Sequence, residues 1–188
     1  MVTPEDPLPD FLARADAEAV RTFAAACVER ASGVFFWVAS REGDRQADAD
    51  TYLAALDALW EPQPPTPQAA EEQRQRVSEF PELGDDYEPP GEAAYAFDAV
   101  SALTYAYSYL ATGDTEWITY EATCLVNSAY YLDEAVGGEA HVTAERAAQR
   151  QDIADLSGPG RQQPSAVLRD RARAAARDKA AALQVAEG

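Results

Sequence analysis

Histidine, lysine and cysteine are scarce in this sequence, and their scarcity excludes several common kinds of active site. The 188 residues include one histidine, one lysine and two cysteines. A Ser-His-Asp or Cys-His arrangement would have to be built on His141 alone, which follows Gly138 closely and has no nucleophile motif beside it. The repeated Glu-x-x-His pairs of di-iron helical bundles do not occur. We therefore expect no catalytic triad, no metal site and no cofactor.

Signals for phosphate binding, secretion and membrane insertion are also lacking. The glycines have turn and helix-cap spacing, without the lysine that a P-loop requires. The first residues are acidic and proline-rich, whereas a secretory signal is basic and then apolar. No apolar run approaches the roughly 18 residues needed to cross a bilayer. Cys27 and Cys124 lie within helical apolar patterns, which is typical of free core thiols in a reducing compartment. We expect a cytoplasmic protein.

Basic charge is scarce, and its distribution is uneven. The net charge is −18; residues 1–140 hold 7 basic and 27 acidic residues, whereas residues 141–188 hold 8 and 6. An acidic body repels nucleic acid and anionic membranes, so a basic protein is the natural partner. The alternative interpretation is that the acidic surface only maintains solubility. Almost all basic residues are arginine and alanine is abundant, which suggests a GC-rich bacterial genome.

The apolar residues that are present recur at helical spacing. Every apolar segment longer than ten residues shows a period near 3.6, and β-branched residues nowhere alternate with period two. We predict an all-α fold, a single-domain helical bundle of about seven helices with a C-terminal helical tail. Two helices, over residues 92–112 and 116–136, are expected to be antiparallel neighbours because their connection is short. Asp16 and Thr143 are predicted helix caps, and Gly33 is predicted to interrupt the first long helix.

Composition divides the chain into three parts. We predict an acidic helical domain over residues 1–156, a linker over 157–164 that is rich in Gly, Pro and Gln, and an Ala/Arg-rich helix over 165–188. Opposite charges on one chain attract, so the last helix is expected to dock on the body through Arg169, Arg173 or Arg177, with a modest and salt-sensitive gain in stability.

Apart from Glu92 at its start, the apolar helix 92–112 contains one carboxylate, Asp98, which shares a side of that helix with several tyrosines. A tyrosine hydroxyl could satisfy it at the edge of the core, or it could serve a partner or a reaction. The predicted partner-binding residues are Asp85, Asp86, Tyr87, Glu88, Asp98, Tyr105 and Tyr109. Catalysis would require two carboxylates to be brought together from Asp57, Glu61, Asp98, Glu121, Asp133 and Glu134.

Several segments occur in an order that resembles the YjaG-like family of bacterial proteins of unknown function. They are the Ala-rich helix that ends in Glu29-Arg30, the LDALWE helix end at residues 56–61, the FPEL loop, and Asp98 within its Ala/Phe-Asp-Ala helix. The resemblance spans about residues 23–138, and this sequence departs from it in the PQPPTP insertion and the acidic loop at 82–92. It implies a compact all-helical fold, and it indicates no particular activity because that family has no established reaction.

Three classes of function remain open. The first is a non-catalytic protein-binding domain, in its sharpest form an immunity protein that neutralises a basic, co-encoded toxin. The second is a regulatory helical module, including an acidic mimic of nucleic acid. The third is an enzyme that uses Asp, Glu and Tyr side chains.

Overall fold

All regular structure in the computed structural model, which describes residues 6–84, 93–157 and 165–186, is helical. This confirms the predicted all-α fold. A short 3₁₀ helix at Pro81–Leu83 precedes the second half of the chain. The described α-helices are α1 (Leu8–Leu12), α2 (Ala17–Arg41), α3 (Gln46–Trp60), α4 (Pro67–Ser78), α5 (Ala93–Thr112), α6 (Glu116–Val136), α7 (Ala140–Ser157) and α8 (Ser165–Ala186).

Helix α2 lies at the centre of the fold, where it contacts α3, α5, α6, α7 and α8. By length and composition it is apolar enough to cross a membrane, which the sequence analysis did not anticipate. In the structure 78% of its most apolar 18-residue window is buried inside the protein. Such burial is ordinary for the core helix of a helical domain.

Gly33 does not interrupt α2, so that prediction is wrong. The helix continues through this residue, and the backbone of α8 approaches it closely. A Cβ atom at Gly33 would lie 1.9 Å from the carbonyl oxygen of Ala176. Glycine is therefore present because two helix backbones meet there, not because a helix ends.

Helix α8 is docked on α2, and its inner face is part of the core. Arg169 and Arg173 each donate a 3.0 Å hydrogen bond to the carboxylate of Glu29, as the charge pattern predicted. Arg177 is exposed. The helix is held by more than surface ion pairs, because it also buries Leu168, Ala172, Ala176, Lys179 and Leu183.

Polar side chains fix several helix ends. Asp16 accepts a 2.9 Å hydrogen bond from the Ala19 amide, which confirms the predicted cap of α2. Arg21 donates to the carbonyls at the end of α3, where unpaired carbonyls and the helix dipole favour a cation. Thr143 does not begin α7; Asp133 at the end of α6 accepts from the His141 and Val142 amides, each at 2.9 Å.

Helices α5 and α6 form the predicted antiparallel hairpin. Their bounds agree with the sequence prediction to within one residue, because both helices have long apolar patterns and end at glycines. Gly113 and Gly137 adopt φ values of 74° and 84°, which favour glycine after a helix. The hairpin positions the surface features described below.

Candidate functional site

Beneath α8 lies a buried cluster of charges drawn from three helices. Arg30 of α2 donates to both carboxylate oxygens of Glu145 at 3.1 and 3.3 Å, and it also donates to Asp152. Lys179 of α8 donates to Glu145 at 2.9 Å. These four residues, Arg30, Glu145, Asp152 and Lys179, are all buried, and we call them the buried ion cluster. Their opposite charges and multiple hydrogen bonds offset the cost of removing them from water.

The cations of this cluster control the ionisation of Glu145. Burial alone would raise the pKa of its carboxyl, but Arg30 and Lys179 together lower that pKa from 4.5 to about 2. Because the folded pKa lies below the unfolded value, the stabilisation is present above about pH 4.5 and is lost as the pH falls towards 2. Glu145 therefore acts as a permanent anion that joins α7 to α2 and α8.

Glu121 also lies in the core, near Arg30, but unlike Glu145 it forms no hydrogen bond with a described residue. It is fully buried on α6, and neither of its carboxyl oxygens has a hydrogen-bond partner. Burial raises the pKa of Glu121 well above its ordinary value, and the positive charge of Arg30 opposes this only in part. A raised folded pKa means that stability decreases as the pH rises above the unfolded pKa.

Replacing Glu121 by glutamine should therefore stabilise the protein increasingly as the pH rises. The amide cannot ionise, so the penalty for burying a negative charge disappears. Urea unfolding of the parent and Glu121→Gln at pH 4, 6 and 8 should give a stability difference that grows in favour of the variant. Glu116→Gln, which removes an exposed carboxylate from the same helix, controls for the change in net charge. Parallel pH profiles for the parent and Glu121→Gln would contradict the assignment.

The carboxylates that could have formed a catalytic pair have separate roles in the structure. Asp57 is paired with Arg169 of α8, and Asp133 caps α7. Glu134 is hydrogen-bonded to Tyr130, and Asp98 to Cys124. Each of these four is thus bound to a different partner. Glu121 is buried near Cys124, the thiol that hydrogen-bonds to Asp98, and Glu61 is exposed at the end of α3.

Asp98 lies at the seam between α5 and α6, and it is buried. The Cys124 thiol of α6 hydrogen-bonds to it, and the Asp98 carboxylate contributes to raising the pKa of Tyr105 above its ordinary value, after the larger effect of burial. Both cysteines are free and buried, as predicted. Asp98 is thus a buried, hydrogen-bonded carboxylate, and one of its partners is a thiol that was not predicted; a tyrosine hydroxyl as a partner stays a prediction.

Three aromatic rings are grouped above this seam, and we call them the aromatic cluster. The rings of Tyr105 and Trp117 are stacked with their centroids 5.7 Å apart, and Tyr120 lies 5.7 Å from Tyr105 and 5.9 Å from Trp117. Tyr120 is 44% exposed, and the other two rings are partly buried. The cluster joins predicted residue Tyr105 to a surface made mainly by α6.

The exposed side of α6 carries a regular series of residues with spacings of four and three. At about 100° per residue they all lie within about 40° of one line along the helix. Tyr120 donates a 2.7 Å hydrogen bond to Glu116, and Tyr130, 55% exposed, is hydrogen-bonded to Glu134. We call this series the α6 outer face; its members are Glu116, Tyr120, Thr123, Asn127, Tyr130 and Glu134.

The α5–α6 hairpin that carries this face has charge of one sign. The sequence contains no lysine or arginine from residue 77 to residue 145, whereas it contains 14 acidic residues in that interval. Helices α5 and α6 both lie within it. The α6 outer face therefore combines exposed aromatic surface with the acidic charge of the α5–α6 hairpin.

Tyr109, another predicted partner-binding residue, is not brought to this face. Tyr109 is buried and borders a separate groove of about 530 Å³ with Leu110, Arg21 and the prolines of the α3–α4 connection. Asp85, Asp86, Tyr87 and Glu88 lie outside the described residues. Tyr120 and Tyr130 were not predicted to be surface residues, although their spacing from Glu116 and Glu134 is visible in the sequence.

Metal binding finds no support in the described ranges. No group of three or more His, Cys, Asp or Glu side chains there could hold an ion. His141, whose backbone amide donates to Asp133, lies at the start of α7. No protein-family model, curated protein or solved structure matches this chain, and the YjaG-like resemblance stays a prediction.

Proposed function

We propose that this protein is a non-catalytic binding domain that takes a basic protein partner on the α6 outer face. The observation that carries the proposal is the pair of exposed tyrosines, Tyr120 and Tyr130, each hydrogen-bonded to a glutamate one turn away. Ten residues of helix separate them by about 15 Å, which suits two anchors within one interface.

The tyrosine–glutamate pairs supply both apolar contact and preorganisation. Tyrosine is enriched among the residues that dominate binding energy, because a large ring and a hydroxyl are combined in a rigid side chain. A hydroxyl already held by a carboxylate loses less conformational freedom when a partner binds. In the aromatic cluster, Tyr105 and Trp117 further restrict the ring of Tyr120.

The electrostatic field favours a basic partner. Glu116 and Glu134 lie about 27 Å apart along the helix, and each leaves carboxylate surface exposed to solvent. The net charge of −18 would accelerate the approach of a cationic protein. Added salt would weaken this attraction. Neutralisation of a basic, co-encoded toxin is the sharpest form of this function. The same negative charge would also suit an acidic mimic of nucleic acid that binds a nucleic-acid-binding protein.

The test uses the products of the genes adjacent to the gene for this protein. Each product is expressed alone and together with the protein, and growth and complex formation by size-exclusion chromatography are measured. We expect a basic product that inhibits growth alone, is neutralised by co-expression, and forms a complex that weakens as salt increases. Tyr120→Ala and Tyr130→Ala should each weaken the complex about tenfold, as expected for interface anchors.

Leu53→Ala is the matched control, because Leu53 is also a large exposed side chain but lies on α3. It should leave neutralisation and complex formation unchanged. A complex whose affinity is the same in the parent and in the Tyr120→Ala/Tyr130→Ala double variant would place the interface elsewhere. A set of neighbouring products that neither bind nor inhibit growth would reject the immunity role.

A further inference from the structure

A second concave surface lies beside the α6 outer face, between α6, α7 and the start of α1. It is a groove of about 410 Å³, within the range of small-molecule sites. One wall is a stripe of α6 and the other a stripe of α7, each with helical spacing of three, four and seven residues. The two stripes are Thr119, Ala122, Thr123 and Val126 on α6, and Arg146, Gln149, Arg150 and Ile153 on α7.

The two arginines of this groove are unusual in this protein. Arg146 and Arg150 are exposed, and neither makes an ion pair with a described residue. Most other arginines in the described ranges bind carboxylates or helix-end carbonyls, in a chain with 33 acidic and 15 basic residues. One turn of helix separates Arg146 from Arg150, so their guanidinium groups can converge on a single anion.

Among the described residues, the neighbouring acidic groups form no ion pair with these arginines. Glu145 is directed into the buried ion cluster, where Arg30 and Lys179 bind it. Asp6 borders the groove but accepts the Leu8 amide at the start of α1. Helix α1 lies at the Ile153 end of α7, because Pro7 and Phe11 border a second cavity with Ile153 and Leu156. Asp6 is thus at the end of the groove away from Arg146.

The floor of the groove is apolar where the arginines end. Leu8 and Ile153 supply aliphatic surface at this end, Ala122 and Val126 supply it along α6 towards Arg146, and Thr119 and Thr123 supply hydroxyls on the same wall. From Arg146 to Ile153 the groove runs seven residues along α7, which is about 10 Å. A ligand of matching shape has a compact anionic end and an apolar body of several carbon atoms.

We propose that this groove binds a soluble anionic amphiphile, with a carboxylate or phosphate head held by Arg146 and Arg150 and an apolar chain lying towards Ile153 and Leu8. This site does not rest on the proposed protein-binding function, since it shares only Thr123 with the α6 outer face and takes a ligand of opposite charge. A free ligand is favoured over an anionic membrane because the acidic body of the protein is repelled by a negatively charged surface.

The proposal is tested by isothermal titration of the full-length protein with defined probes. Decanoate and decyl phosphate should bind saturably, whereas neutral 1-decanol should bind at least tenfold more weakly. The Arg146→Gln/Arg150→Gln double variant should lose at least tenfold in affinity for both anions. Val126→Asp should also weaken binding, because it places a negative charge beside the head group. Arg177→Gln, which removes an exposed arginine from α8, should bind like the parent.

Three results would overturn the proposal. Equal affinity for decanoate and 1-decanol would show that the arginines do not recognise the head group. Unchanged affinity in the arginine double variant, with its circular dichroism and melting temperature matching the parent, would place the ligand elsewhere. Binding to phosphatidylglycerol vesicles without binding to either soluble anion would identify a membrane surface instead. None of these results depends on whether a basic protein partner exists.

Discussion

Replacing Arg30 by methionine is expected to lower the free energy of unfolding by about 3–5 kcal/mol. The substitution removes the cation that Glu145 and Asp152 share, and it leaves both carboxylates buried. Lys179 and Arg171 still contact one carboxylate each, so the loss should fall at the lower end of that range. Arg30→Lys should recover only part of it, because an ammonium group cannot reproduce the planar array of donors.

The pH dependence distinguishes lost ion pairing from lost packing. In the parent, Glu145 has its pKa lowered to about 2, so its stabilising effect decreases as the pH falls below about 4.5. Without Arg30 that pKa rises, and acidification costs the variant less stability. Urea unfolding at pH 7 and pH 3 should therefore show a smaller difference between parent and Arg30→Met at pH 3.

Two further sets of variants serve as controls for the stability of Arg30→Met. Arg177→Met removes an exposed arginine of α8 and should change stability by less than about 0.5 kcal/mol. In a double-mutant cycle, Arg30→Met and Glu145→Gln should cost less together than the sum of the single changes, because each removes the same interaction. Additive costs, or a difference that is equal at both pH values, would disprove the stabilising role of the buried ion cluster.

Replacing Gly33 by alanine is expected to destabilise the protein by about 1–3 kcal/mol, even though alanine is the better helix former. The added Cβ would lie 1.9 Å from the carbonyl oxygen of Ala176 and 2.6 Å from its carbonyl carbon. Both are backbone atoms, so α8 as a whole must move away from α2. Limited trypsin digestion should then cleave α8 at Arg173 and Arg177 faster than in the parent.

Gly43→Ala is the matched control for this substitution. A Cβ at Gly43 meets no described atom within 4 Å, so alanine there should leave stability within about 0.5 kcal/mol. The interpretation of Gly33 as a helix breaker makes the opposite prediction, namely that alanine stabilises α2 by up to about 1 kcal/mol. A gain in stability for Gly33→Ala would therefore support the sequence interpretation and reject the close contact of α2 with α8.

The sequence predicted the extent of two long helices better than it predicted the residues that cap helix ends. Helices α5 and α6 were assigned to within one residue because apolar spacing and a following glycine define each of them locally. The cap of α7 was wrongly given to Thr143, since Asp133 belongs to a different helix and reaches the start of α7 only after the chain has turned at Gly137 and Gly138. Helix caps from a neighbouring element carry no local signal.

The candidate surface was only partly accessible to sequence reasoning. Tyr105 and Asp98 were selected because they share a side of α5, and the structure places them at the seam with α6. Tyr120 and Tyr130 were not selected, because a tyrosine at helical spacing is compatible with either the core or the surface. Packing of α5 against α6 decides which side of α6 is exposed.

The sequence by itself determined that the chain is helical, strongly acidic and provided with free core cysteines, because spacing and composition depend only on the order of residues. Only the tertiary structure decided that Gly33 admits a second backbone, that Arg30 joins Glu145 to Asp152, and that Glu121 is buried without a hydrogen-bond partner. The contacts of Gly33 and Arg30 join residues more than 90 positions apart in the chain. The burial of Glu121 follows from the packing of helices that are equally distant in the sequence. Their energies depend on burial and distance, which arise only when the helices pack.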